Sequence, residues 1–238
     1  VTSAPFSSGQ YNTALGYNAF RNFTTGDSNV AIGYATGDSI TSGARNVAVG
    51  QSALGALTTG TNNVVLGVSA MSSADGLERE NIVIGYYAGG GINNDSAIRN
   101  VFMGEYAGYG GTGALANSVA IGYRALDSTG ANAGTGTIAI GYEALKDLTS
   151  GGGNLALGYQ AGAGVTTGTY NHFLGHEAGK VHTTGNRNIA IGQNAMDDTD
   201  AGSTSLGSND NIFIGYDAGG GTWADAASNY NVAIGNYA

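Results

Sequence analysis

The sequence predicts an all-β protein, a parallel β-solenoid or β-roll of about thirteen stacked coils with a 17-residue minimum repeat. Three observations predict it. The phrase Asn, apolar, small or aromatic, apolar, Gly, any, any, Ala recurs thirteen times in 238 residues, as in Asn29-Val-Ala-Ile-Gly33, Asn46-Val-Ala-Val-Gly50, Asn188-Ile-Ala-Ile-Gly192 and Asn211-Ile-Phe-Ile-Gly215. The marker glycines fall 17 to 23 residues apart, and 17 is the commonest spacing. Such self-similarity at a fixed period is the mark of a repeat architecture. Finally, each phrase sets β-branched residues on alternate positions, which suits a short strand, while the density of Gly and Asn excludes a helix.

The strand comes first. In Asn-Val-Ala-Ile-Gly the Val and Ile point to one face, and the Asn, Ala and Gly to the other. A gap of 17 residues is too short for a helical crossover, so successive strands stack directly. At about 4.8 Å per coil, thirteen coils predict a rod roughly 60 Å long. Stacking places equivalent residues in columns. The Asn column, intact in eleven copies and replaced by Ser118 and Thr137 in the others, can form an amide ladder. The Ala and Gly columns allow close approach. Both strand faces read as at least half buried, one by Val, Ile and Leu, the other by Ala with Phe102, Phe173 and Phe213. Two buried faces predict that chains pack on each other as a homo-oligomer, a homotrimeric fibre being the expected solution.

The turn follows. Every 17-residue gap carries Thr, then Thr or Ser, then Gly, as in Thr24-Thr25-Gly26 and Thr166-Thr167-Gly168. The triplet reads as a tight turn whose glycine takes positive φ, and longer gaps read as insertions there. A Thr face for ice is disfavoured, because the triplet runs three coils, stops for four and returns for three. Residues 1–11 form a lead-in and 12–238 a single repeat domain, with no linker or composition shift between.

Composition narrows the function. Gly 43 without a Gly-X-Y triplet excludes collagen. A net charge of −9 disfavours nucleic acid as a partner. The absence of cysteine excludes a disulfide framework and thiol chemistry. No membrane-inserting run is legible. Gly-x-Ser-x-Gly is absent and the carboxylates sit mostly in turns, so no enzyme is expected.

The Ser118-Val-Ala-Ile-Gly122-Tyr-Arg-Ala125 phrase resembles the head repeat of trimeric autotransporter adhesins. Asn154-Leu-Ala-Leu-Gly158-Tyr-Gln-Ala161 with Thr166-Thr167-Gly168 resembles repeats of phage tail-fibre-like proteins. The resemblance covers nearly the whole chain. It implies a trimeric, extracellular fibre at a cell surface or virion, a surface adhesin head or tail-fibre shaft serving cell adhesion or host attachment, with a glycan or protein receptor as partner. The coil here is longer than the adhesin head's. A carbohydrate-binding solenoid module and an extracellular filament built end to end are the alternatives.

Several residues are candidate sites. Seven tyrosines follow the marker glycine, among them Tyr142 and Tyr159, and form a partial aromatic column, read as packing or as a glycan-stacking face. Trp223 beside Asp225, on a glycine-rich insertion, is a second glycan candidate. Asp198 and Asp200, in Asp197-Asp-Thr-Asp200, could hold Ca²⁺, with a solvated acidic loop as the default; no other cofactor is expected. His172, His176 and His182 cluster in sequence. The first two are about 13 Å apart on an extended strand, too far to share a metal within one chain, although a trimer could gather three copies of His172 on its axis. Gly108-Tyr-Gly110-Gly-Thr-Gly113 matches a dinucleotide-binding pattern but lacks the following helix.

Overall fold

The computed structural model describes residues 8–110, 113, 115–130, 134–197, 207–220 and 228–238. It is a parallel β-solenoid of about eleven turns and thirteen strands, with no helix among the described residues. The chain divides into two compact units, Val1–Ser118 and Val119–Ala238. The first holds β1 (Thr13–Leu15), β2 (Val30–Ile32), β3 (Val47–Val49), β4 (Val64–Leu66), β5 (Ile82–Ile84) and β6 (Val101–Met103). The second holds β7 (Val119–Ile121), β8 (Ile138–Ile140), β9 (Leu155–Leu157), β10 (His172–Leu174), β11 (Ile189–Ile191), β12 (Ile212–Ile214) and β13 (Val232–Ile234).

Within each unit consecutive strands pair in parallel and in phase with the repeat. Val30, Ala31 and Ile32 sit opposite Val47, Ala48 and Val49, and Ile138, Ala139 and Ile140 opposite Leu155, Ala156 and Leu157. The longer gaps do not disturb this. Thr61, Arg79 and Ile98, each two residues before its ladder asparagine, still pair as isolated bridges, so the extra residues are absorbed in the preceding turn.

The ladder is as the sequence predicts, and its hydrogen bonding is complete. The Asn29 Nδ2 donates to Asn12 Oδ1 at 3.1 Å and to Gly43 O at 2.8 Å. Its Oδ1 accepts from the Asn46 backbone N at 2.9 Å and from Asn46 Nδ2 at 3.1 Å. The same set recurs at Asn188, which donates to Asn171 Oδ1, and at Asn211, which donates to Asn188 Oδ1. A buried amide costs little only when all its hydrogen-bonding capacity is used, as it is here.

The two strand faces differ sharply. The sequence predicts two half-buried faces; in the structure the central residue of every strand but the terminal β1 and β13 (as at Ala48, Phe102, Ala139 and Phe173) is buried inside the coil, while the flanking Val, Ile and Leu point outward and stay partly exposed. The interior is closed from the opposite side by three further columns. These stand three, four and seven residues past the marker glycine, for example Ala53, Leu54 and Leu57, or Ala144, Leu145 and Leu148.

The interior volumes are complementary. Where the strand centre is Ala, the residue four past the marker is large at Leu126, Leu145 and Met196, facing Ala120, Ala139 and Ala190; Ala31 and Ala156 instead face Gly37 and Gly162, where a Cβ would lie 3.1 Å from the Phe20 ring and 2.7 Å from the Phe173 ring of a neighbouring coil. Where the strand centre is Phe, the residue four past the marker is glycine. A Cβ on Gly108 would lie 2.6 Å from Phe102, and one on Gly179 2.3 Å from Phe173. A coil therefore accepts at most one Phe, Leu or Met across this gap, and a coil with none is filled by the ring of its neighbour, as close packing requires.

The turn glycine differs from expectation. Gly26, Gly43, Gly60, Gly168 and Gly185 are absent from the positive-φ residues, and of this triplet position only Gly151 has positive φ (104°). The requirement there is close approach between coils: a Cβ on Gly26 would lie 2.0 Å from the Gly43 carbonyl oxygen. Positive φ belongs instead to the marker glycines (Gly141, φ 142°), to the second and fourth residues after them, and to the residue just before the ladder position, where ordinary side chains adopt it, as at Leu145 (φ 49°) and Arg45 (φ 57°). The Thr hydroxyls of the turn are spent on the neighbouring coil, Thr24 Oγ1 donating to Thr41 O and Thr166 Oγ1 to Thr183 O.

Candidate functional site

The strands' outward residues make one apolar stripe in each unit. Val64, Ile82 and Met103 in the first, and Ile138, Ile140 and Ile191 in the second, are each 37–42 % exposed. Only Thr13 and His172 interrupt the Val, Ile, Leu and Met composition of these two columns, and no charged residue does. With about 4.8 Å between strands and roughly 7 Å between alternate residues, each stripe is some 24 to 29 Å tall and reaches the few-hundred-Å² class.

The borders of the stripe are polar. On one side lies the column just before the ladder asparagine, where Arg45 Nε donates to Asn62 Oδ1 (2.7 Å), Arg99 pairs with Glu80 (3.0 Å) and Arg187 with Asp210 (2.6 Å). The hydrogen bond from Arg187 holds the Asp210 carboxyl below its ordinary value. On the other side lies the aromatic column after the marker glycine. An apolar centre with a polar and aromatic rim is the anatomy of a protein–protein interface.

That aromatic column is a continuous stack in the second unit. Tyr123 and Tyr142 have centroids 5.2 Å apart, Tyr142 and Tyr159 5.1 Å, and Tyr159 and His176 4.9 Å, with interplanar angles of 20°, 9° and 13°. Neighbouring rings thus turn their faces to each other at the coil spacing, and edges and hydroxyls face solvent. A sugar that stacks on an aromatic face finds the faces of Tyr142 engaged on both sides. Beside the stack, the Glu143 Oε2 accepts from Gln160 Nε2 (2.7 Å) and Lys146 Nζ (3.4 Å). Burial pushes the Glu143 carboxyl up, and the Gln160 bond with the Lys146 and Arg124 charges more than reverses this. In Tyr142 burial, then Glu143, pushes the phenol up.

The first unit carries a different aromatic arrangement, which the repeat pattern does not announce. Tyr86, Tyr87, Tyr106 and Tyr109 form one cluster: Tyr87 stacks on Tyr106 (5.7 Å, 13°), Tyr86 stands edge-on to both, and Tyr109 packs against Tyr106 at 5.4 Å. Gly90 makes room for it, since a Cβ there would lie 3.1 Å from the Tyr87 ring and 3.2 Å from that of Tyr109. The equivalent position carries a charged side chain at Arg21, Asp38, Asp127, Lys146 and Lys180, and is glycine again at Gly55 and Gly220.

The three histidines part company. His172 is exposed in the outward stripe, between Leu155 and Ile189, and His176 ends the aromatic stack. His182 is wholly buried in the column of Leu57, Leu148 and Val165, its Nε2 3.1 Å from Asn188 Nδ2. Among the described residues no group of three or more His, Asp or Glu is placed to hold a metal ion. Asp198, Asp200, Trp223 and Asp225 lie outside the described residues. In the Gly-x-Gly-x-x-Gly match, Gly108 packs on Phe102, and the Gly110 carbonyl oxygen lies where a Cβ on Gly91 would meet it at 2.1 Å. Gly108 and Gly110 thus serve coil packing.

One buried carboxyl is also unannounced by the repeat. Glu78 is wholly buried in an insertion turn, where it accepts from the backbone N of Gly76 (2.9 Å) and of Asn94 (3.1 Å). Burial pushes it above its ordinary value, and nearby Asp95 and Asp75 add to this.

No protein family, curated protein or solved structure compared with the chain matches it.

Proposed function

We propose that this chain is a structural and adhesive fibre segment. It assembles as a homotrimer through the outward Val/Ile/Leu stripes, and it serves attachment at a cell surface or virion, without catalysis. The observation that carries this reading is the outward stripe itself. The coil's interior is filled without it, so burying the stripe requires another molecule. Its uncharged composition and repeat along each unit suit an identical partner, which offers a surface of the same length and spacing. The Asn ladder favours a mechanical role, because from Asn12 to Asn100 and from Asn154 to Asn231 it ties neighbouring coils by amide hydrogen bonds. The ligand of such a segment is a surface glycan or a protein receptor.

The test is to place carboxylates in the stripe. Ile138→Asp with Ile140→Asp puts two charges on an exposed face, so each monomer still folds while the interface has to desolvate them. Negative-stain electron microscopy of the parent protein is expected to show rod-shaped oligomers, and the double variant thin single-chain particles. A parent protein that is compact and monomeric would sink the proposal.

A further inference from the structure

We propose that the tyrosine cluster of the first unit, Tyr86, Tyr87, Tyr106 and Tyr109, is a binding site for a neutral glycan, an inference that rests on the adhesive reading and supplies it with a ligand class. The column two residues past the marker glycine runs Asn18, Ala35, Ser52, Ser69, and then Tyr87 and Tyr106. The register is continuous, with Ser69 N donating to Gln51 O and Tyr87 N to Val68 O. Side chains therefore lengthen abruptly from Ser69 to Tyr87, and from Val68 to Tyr86 beside it. This leaves a ledge one coil deep on which the rings stand.

The chemistry of the ledge selects among ligands. Tyr86 is 47 % exposed and the other three rings are half-buried, so the cluster is held in place by its own packing but reachable from solvent. Four fixed rings lose little conformational entropy on binding. They offer apolar ring surface beside phenolic hydroxyls, which suits a pyranose, with its C–H faces and equatorial hydroxyls. Gly90 lies against the Tyr87 and Tyr109 rings, so no side chain competes for the space there. Exposed Glu105 lies beside the rings, and the whole chain carries −9. That balance favours neutral hexose or N-acetylhexosamine chains over sulfated and sialylated glycans. The stacked column of the second unit lacks this geometry, since the rings of Tyr142 are covered on both faces.

The experiment is affinity electrophoresis of the full chain in native gels cast with soluble glycol chitin, with a β-glucan, with a galactomannan, and with heparin as the anionic comparison. Retardation is expected in at least one neutral gel and not in heparin. Tyr87→Ala with Tyr106→Ala is expected to weaken it by at least about tenfold, the loss typical of truncating an aromatic anchor. Tyr142→Ala is expected to leave it unchanged. Circular dichroism checks that the variants fold, and Tyr106→Phe, which keeps the ring, is expected to retain binding. No retardation of the parent in any neutral gel, or retardation indifferent to the double variant, would overturn the proposal. Failure of the glycan site leaves a rod-shaped trimer visible by microscopy, whereas a monomer with tyrosine-dependent binding would fail the fibre reading alone.

Discussion

Replacing Phe173 by Ala and Gly179 by Leu, singly and together, tests whether a coil accepts at most one large group across its interior. Phe173 is wholly buried between two glycines: a Cβ on Gly179 would lie 2.3 Å from its ring, and one on Gly162 2.7 Å. Phe173→Ala empties that space at a cost of about 3–5 kcal/mol. Gly179→Leu alone drives a side chain into the ring. It costs about 1–3 kcal/mol in overpacking and about 1 kcal/mol more because φ there is +62°. The double variant reproduces the pairs Ala139 with Leu145 and Ala120 with Leu126, whose leucines already sit at φ 49° and 55°. It is expected to lie within about 2 kcal/mol of the parent, against an additive expectation of about 5 kcal/mol or more, a coupling of about 3 kcal/mol. The assay is urea unfolding followed by circular dichroism at one protein concentration, comparing midpoints at a common slope. A double variant as unstable as the sum of its parts would refute volume complementarity between these columns.

Three further predictions concern buried polar groups. Asn171→Ala removes the acceptor of the Asn188 backbone N and Nδ2 and the donor to Gly185 O, so it is expected to lower urea stability by about 3 kcal/mol or more; a loss below about 1 kcal/mol would show that the ladder is dispensable. His182→Leu is expected to change stability by less than about 1 kcal/mol, because both hydrogens of Asn188 Nδ2 already serve Asn171 Oδ1 and Ser208 O; a large loss would mean that the imidazole is a required acceptor. For Glu78 the folded carboxyl holds its proton more tightly than the unfolded one. Its contribution to stability is therefore full below the ordinary value of 4.5 and is lost as pH rises through the higher folded value. Urea midpoints of the parent and Glu78→Gln, compared from pH 4 upward, are expected to differ with that pH dependence, and a constant difference would contradict it.

Much of the fold was legible because the repeat makes each column its own control. The strand at Val30–Ile32, the in-phase stacking and the Asn29–Asn46 ladder all follow from one eight-residue phrase. Which strand face lies inside was not legible, because both Ala48 and its neighbours Val47 and Val49 are apolar. The deciding clue was the anticorrelation of Phe102, Phe173 and Phe213 with Gly108, Gly179 and Gly219, which shows those positions sharing one volume. The role of Gly26 was misread for a physical reason. A glycine needed for φ and one needed for backbone contact look alike until the 2.0 Å approach to Gly43 O is seen. Of the candidate site residues, Tyr142, Tyr159 and His176 stack as their shared column implies, and His172 faces outward. The Tyr86–Tyr109 cluster escaped because only Tyr86 belongs to the tyrosine column, while Tyr87, Tyr106 and Tyr109 stand in columns of mixed residues; buried Glu78 lies in a turn insertion, where columns give no guidance.

The most direct measurement of the proposed assembly is the native mass by light scattering after size exclusion. Burial of the Val/Ile/Leu stripe between three copies predicts a species of three times 23.7 kDa, lost in Ile138→Asp with Ile140→Asp. A stable species of 23.7 kDa, unchanged by the two aspartates, would contradict it and leave the stripe facing water.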